Sequence, residues 1–266
     1  MPKAIFFDLD DTLLWDKKSI EEALLLTAQQ AMETYKVDAE RLIQDVREIA
    51  PAIYSSLSTH DFTQLIGINP FEGLWGEFGD PIHHMFREMG NIMPEYRKQV
   101  WTKALKKQEI FNEEFGFELA HQFIENRKRT PILYEETFEV LDALKGQGIR
   151  LLLLTNGAPS LQMEKLKLTP QLVPYFEHIV ISGNFGFGKP HAEIFEHSLR
   201  LMDLPPEDVW MVGDNKKTDI LGANRVNIRS VWIQHDDLDE KRSEKDGVPD
   251  TTINRLKQLL TLVKNN

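Results

Sequence analysis

Residues 4–12 read AIFFDLDDT, four apolar residues followed by a carboxylate at Asp8 and two more at Asp10 and Asp11. A short unbroken apolar run ending on an acidic residue is the pattern of a strand buried on both faces, as in a parallel sheet. Asp8 and Asp10 stand two apart, so they share a face if the strand continues through them. Carboxylates at the carboxyl end of a parallel strand lie where open α/β sheets bind ligands. A simple acidic turn is the alternative, and the rest of the chain must supply the context.

Four similar runs follow, at 149–155 (IRLLLLT), 178–182 (HIVIS), 208–213 (DVWMVG) and 228–234 (IRSVWIQ). Helical patterns alternate with them. Residues 135–145 carry Phe138, Leu141 and Leu144 on one stripe and stop at Gly146 and Gly148. A second helix spans 191–201 with Pro190 suited to its first turn, and 253–263 closes the chain as a third. Strands alternating with helices predict an α/β fold, a doubly wound, mostly parallel, Rossmann-like sheet.

The middle of the chain differs. From 19 to 129 the periodicity is helical, with a capping box at Ser19 and Glu22 and helices over 41–49 and 95–107. The stretch 67–79 (GINPFEGLWGEFG) reads as a loop. An all-helical block inserted after the first strand gives two domains, 1–16 plus 131–266 for the sheet and 17–130 for the helices. Phe62, Phe71, Trp75 and Phe78 are expected to fill the core of the helical block rather than to line a ligand site. Arg127, Lys128 and Arg129 read as a solvated hinge, and 236–245 as a charged surface loop.

Composition narrows the function classes. The chain has 266 residues with 31 Lys+Arg against 42 Asp+Glu, a net charge of −11. That balance argues against nucleic acid as a partner, because such binding relies on basic side chains neutralising phosphates. The absence of cysteine excludes disulfides, thiolate metal sites and a cysteine nucleophile, and fits a reducing cytoplasm. Apolar runs such as 151–154 fall far short of the roughly 20 residues of a membrane span, and the N-terminus leads directly into the Asp-rich stretch. A soluble, cytoplasmic protein with no membrane partner is expected. The eight histidines show no zinc-site spacing.

Each later strand also ends on a group suited to phosphate. Thr155 is followed by Asn156 and Gly157, the loop after the third strand leads to Lys189, and the fourth strand runs into Gly213, Asp214, Asn215, Lys216, Lys217, Thr218 and Asp219. Taken singly, Thr155 suits a helix cap and Asp214-Asn215 a turn. Their order, each after a strand, is what makes them a set.

DLDDT at 8–12, LLTNG at 153–157, GKP at 188–190 and GDNKKTD at 213–219 together resemble the four motifs of the haloacid dehalogenase superfamily of phosphatases. The helical insertion resembles that family's cap. The resemblance implies Asp8 as nucleophile forming a phosphoaspartate and Asp10 as general acid and then base. It further implies phosphate held by Thr155, Asn156 and Lys189, and Mg²⁺ held by Asp8, the Asp10 main-chain carbonyl and Asp214 with Asp219 in support. The expected activity is hydrolysis of a small phosphorylated metabolite, with phosphoserine, sugar phosphates and nucleoside monophosphates as candidates. A phosphomutase, or a noncatalytic phosphate-binding module, is the alternative.

Overall fold

The five apolar runs all become strands in the computed structural model, which describes residues 1–235 and 246–265. They are β1 (Ala4–Phe7), β2 (Arg150–Thr155), β3 (His178–Ile181), β4 (Val209–Gly213) and β5 (Arg229–Ile233), joined by a short β6 (Thr251–Ile253). All pairings are parallel, in the order β3-β2-β1-β4-β5-β6. Phe7 of β1 is in register with Leu153 on one side and Val212 on the other. Strand order therefore reverses at β1, and the crevice beyond its carboxyl end is where such sheets bind ligands. The alternation of side chains feeds the core: Ala4, Phe6, Leu152, Leu154, Val209 and Met211 pack with Ile194, Phe195, Met202 and Ala223 of the helices Ala192–Met202 and Leu221–Arg225.

The chain divides into two compact units. The sheet unit comprises Met1–Trp15, Leu133–Gly157 and Thr169–Asn266, and the helical unit Asp16–Ile132 together with Ala158–Leu168. The sequence reading had assigned that last segment to the sheet. Three interactions attach its helix, Pro159–Leu168, to the helical unit. Ala158 and Leu161 join the apolar core, and Asp80 accepts from the Ser160 amide (2.7 Å) and hydroxyl (2.6 Å). The Lys165 ammonium meets Glu72 at 2.9 Å.

Several local expectations change. The first helix begins at Asp16, one turn early, and Ser19 accepts from the Ile132 amide instead of forming a capping box. A capping box does form at Asn69 and Glu72, so the supposed loop contains the helix Pro70–Gly73. The helices Ala39–Tyr54 and His84–Lys106 run through Pro51 and Pro94, where the sequence reading had bounded them. Each proline removes one N–H, but burial of Tyr54 beyond Pro51, and of Phe86, Met89 and Met93 before Pro94, outweighs that loss. Pro190 stands ahead of its helix, whose N-cap is His191. Ile253 belongs to β6, paired with Ile233, and the final helix starts only at Gln258. Residues 236–245, read as a charged loop, lie outside the described residues. Among the described residues no helix is long and apolar enough to cross a membrane.

The helical unit is apolar inside, with Trp75 and Phe78 in its core and Phe62 and Phe71 packed against it. It also buries charge. Arg127 is 3% exposed and ion-paired with Asp16, so it is not the solvated residue expected of a hinge. Lys165 lies 4.0 Å from Asp16 as well as against Glu72, giving two buried acids matched by two buried bases. Burial disfavours an ionised Asp16, but Lys165 and Arg127 outweigh it and hold the carboxyl below its ordinary 3.8. Removing one partner strands the others. Asp16→Ala should lower stability by about 3–5 kcal/mol in urea unfolding. Because the folded value lies below the unfolded one, this stabilisation is complete above pH ~4 and is lost as pH falls further. Acid unfolding followed by circular dichroism should therefore show that loss in the native chain and less of it in Asp16→Ala.

Candidate active site

β1 stops at Phe7, and the chain then turns on one carbonyl: Leu9 O accepts from the amides of Thr12 (3.4 Å), Leu13 (3.0 Å) and Leu14 (2.9 Å). The strand therefore ends before Asp8 and does not continue through Asp10. Asp8 is buried, its amide donating to Val212 O at 3.0 Å and its Oδ2 accepting from the Thr12 hydroxyl at 3.3 Å. Asp10 is half-buried and bridges to Leu14. Asp11 takes a left-handed conformation, φ 57°, and its carbonyl meets the His235 imidazole at 3.0 Å. His235 stacks on Tyr134, which stacks on Trp15. The sequence reading missed this three-ring column, because nothing local links residues so far apart.

Lys189 reaches the same place from the far side of the chain. Its buried ammonium lies 2.6 Å from Asp8 Oδ1, 2.7 Å from Asp219 Oδ1 and 2.7 Å from Leu154 O. Two carboxylates beside it hold its pKa above the ordinary 10.5 against the opposing effect of burial. Asp219 sits in the π-type turn Lys216–Ile220 that follows β4, where its Oδ2 accepts from the Asn215 amide at 3.1 Å. Such turns recur at functional sites. Gly213 makes room for it: a Cβ there would lie 2.3 Å from the Asp219 carboxyl.

Asp8, Asp214 and Asp219 each offer an oxygen within 4.8 Å of the others. The Asp10 carboxylate is not in this group. Asp214 is held from behind, its carbonyl accepting from Trp232 Nε1 at 2.7 Å while Lys216 Nζ covers the Trp232 ring at 3.4 Å. The Lys189 ammonium meets two of these three carboxylates, so acids outnumber the base in the cluster and its charge is in excess on the negative side. Burial, reinforced by the Asp219 carboxylate, outweighs the opposing pull of Lys189 and leaves Asp8 raised to about 6. An all-oxygen donor set with that excess charge fits Mg²⁺.

The other expected phosphate ligands are arranged differently. The Thr155 hydroxyl, at the end of β2, donates to Asn156 O at 3.4 Å. The Asn156 side chain binds the Lys189 backbone, accepting from N at 2.8 Å and donating to O at 3.0 Å. Ser182 was also missed: its hydroxyl accepts from the Gly157 amide at 2.8 Å and ties the loop after β2 to the loop after β3.

A family profile described as haloacid dehalogenase-like hydrolase matches residues 2–227. The chain belongs to that family. Among the relatives of this hydrolase, a phosphoserine phosphatase from Thermus thermophilus is 31% identical over 97% of both chains. A glyceraldehyde 3-phosphate phosphatase from Methanopyrus kandleri is 33% identical over 99% of this chain and 98% of its own. The fold matches the HAD-hydrolase YfnB from Bacillus subtilis bound to magnesium, with a TM-score of 0.63 and 22% identity over 98% of both chains. It also matches an L-2-haloacid dehalogenase from Xanthobacter autotrophicus, with a TM-score of 0.61 and 16% identity over 99% of each.

The Gly213 contact leads to a test that does not depend on activity. Gly213→Ala should overpack the Asp219 carboxyl and cost about 1–3 kcal/mol, read as a lowered thermal midpoint. Gly213→Ala with Asp219→Ala should recover part of that loss.

Proposed function

We propose that this hydrolase is a Mg²⁺-dependent phosphomonoesterase that acts on a small phosphorylated metabolite through a phosphoaspartate at Asp8. The observation that carries the reading is the meeting of the Lys189 ammonium with Asp8 and Asp219 at 2.6 and 2.7 Å, with Asp214 in the same carboxylate cluster. The full-length relatives named as phosphatases support it.

Asp8 attacks phosphorus in line, and the P–O bond to the leaving group breaks. Asp10, protonated at the outset, donates its proton to the departing alkoxide. The ionised Asp10 then takes a proton from water, whose oxygen attacks the phosphorus of the phosphoaspartate. The bond to Asp8 breaks, phosphate leaves and Asp10 regains its proton. A carboxylate suits the first role because its acyl phosphate hydrolyses more readily than an ester. Lys189 offsets charge on the transferring phosphoryl group, and Thr155 faces it from the end of β2. Asp8, the Asp10 carbonyl and Asp214 would hold Mg²⁺ with Asp219 behind them, and the ion would supply the charge neutralisation that lets a phosphate dianion approach three carboxylates.

Halide displacement, the reaction named for some structural neighbours, needs no proton donor at the leaving group, so Asp10 would have no work there. For substrate we favour phosphoserine, from the relative covered at 97% of both lengths, with a three-carbon sugar phosphate next.

Purified protein should release phosphate from p-nitrophenyl phosphate with Mg²⁺ and stop on chelation. Asp8→Asn should abolish turnover with an unchanged circular dichroism spectrum, and Asp10→Asn should lower kcat by about 10²–10⁴-fold. Mg²⁺ should raise the thermal midpoint of the wild type and leave that of Asp214→Asn unmoved. Undiminished turnover in Asp8→Asn would remove the phosphoaspartate. Ranking phosphometabolites by kcat/KM tests the substrate.

A further inference from the structure

We propose that Asn156 is a positioning residue for Lys189, and that position 188 is glycine because the Asn156 amide occupies the space a side chain there would need. The inference deepens the phosphatase reading, in which the Lys189 ammonium meets the transferring phosphoryl group. The family resemblance gives Asn156 a phosphate contact. The structure turns both ends of its amide onto a backbone 33 residues away. Oδ1 accepts from Lys189 N at 2.8 Å, and Nδ2 donates to Lys189 O at 3.0 Å. A primary amide carries an acceptor and donors on one planar group, which lets it grip both polar atoms of a single residue. Aspartate retains only the acceptor, and alanine neither.

Lysine has a flexible four-carbon stem, so a defined ammonium position needs a defined starting point. The amide grip supplies one at the Lys189 backbone. From there Nζ reaches Asp8 Oδ1 (2.6 Å), Asp219 Oδ1 (2.7 Å) and Leu154 O (2.7 Å), one partner from each of three strand ends. Gly188 completes the device. A Cβ on it would lie 2.5 Å from Asn156 Oδ1, 2.8 Å from Cγ and 2.9 Å from Nδ2, too close for the amide to stay. Two residues thus serve one purpose, and damage to either should remove the same interaction.

The test is a double-mutant cycle on the intact protein, comparing wild type, Asn156→Ala, Gly188→Ala and the double variant. Steady-state hydrolysis of p-nitrophenyl phosphate with Mg²⁺ gives kcat and KM, inhibition by inorganic phosphate gives its affinity, and hydrogen exchange by mass spectrometry reports the Lys189 amide. Asn156→Ala should lower kcat by about 10–100-fold, the range found when a residue that orients a metal ligand by hydrogen bonding is lost. It should weaken phosphate inhibition and speed exchange at Lys189. Gly188→Ala should do the same, and the double variant should be no worse than the poorer single, since the added methyl then meets no amide. Losses that multiply overturn the proposal, as do wild-type kcat and phosphate affinity in Asn156→Ala. Should Gly188→Ala fail to fold, a folded double variant supports the clash and an unfolded one overturns it. If the wild type releases no phosphate from p-nitrophenyl phosphate with Mg²⁺, the phosphatase reading fails by itself, and exchange at Lys189 still decides the grip.

Discussion

The ammonium of Lys189 is the point on which the sheet unit converges. It contacts Asp8 beyond β1, the Leu154 carbonyl in β2 and Asp219 in the turn after β4. A buried lysine is costly unless charged partners and acceptors surround it. Meeting that requirement fixes three strand ends against one another at the position where strand order reverses. Gly213, Ser182 and the π-type turn Lys216–Ile220 all act within a few residues of this contact. Much of the local irregularity in the sheet unit serves that arrangement.

The two units handle buried charge in opposite ways. In the helical unit the buried Asp16 and Glu72 are matched by the buried Arg127 and Lys165, acid for base. In the sheet unit Lys189 pairs with Asp8 and Asp219, Asp214 lies in the same carboxylate cluster, and the acids of that cluster outnumber the ammonium. A balanced network stabilises a packing arrangement, whereas an unbalanced one at a strand end stores an attraction for a ligand cation. This contrast separates structural from chemical charge better than burial, because residues of both groups are deeply buried.

Much of the fold was legible because the relevant signals are local. β1 to β5 each carry a continuous apolar run, which is what burial on both faces of a parallel sheet demands. β6 was missed because Thr251, Thr252 and Ile253 make too short and too polar a run. Helix ends near Pro51 and Pro94 were misjudged because proline's local cost is visible in sequence, while the burial that exceeds it is a property of the packed unit. The capping box was assigned to Ser19 and found at Asn69, since both stretches satisfy the same short pattern and only packing selects between them. Arg127 read as a solvated basic residue because its partner Asp16 is 111 residues away.

By itself the sequence determined the α/β class, the inserted helical block and the candidate set Asp8, Asp10, Lys189, Asp214 and Asp219, since strand pattern and residue chemistry are written along the chain. Only the tertiary structure decided how that set is held. It ended β1 at Phe7 and turned the chain on the Leu9 carbonyl, turned Asn156 onto the Lys189 backbone, and moved residues 158–168 into the helical unit. Those outcomes depend on hydrogen bonds, ion pairs and excluded volume between residues distant in sequence. Such interactions have no local signature, because they exist only once the chain has brought their partners together.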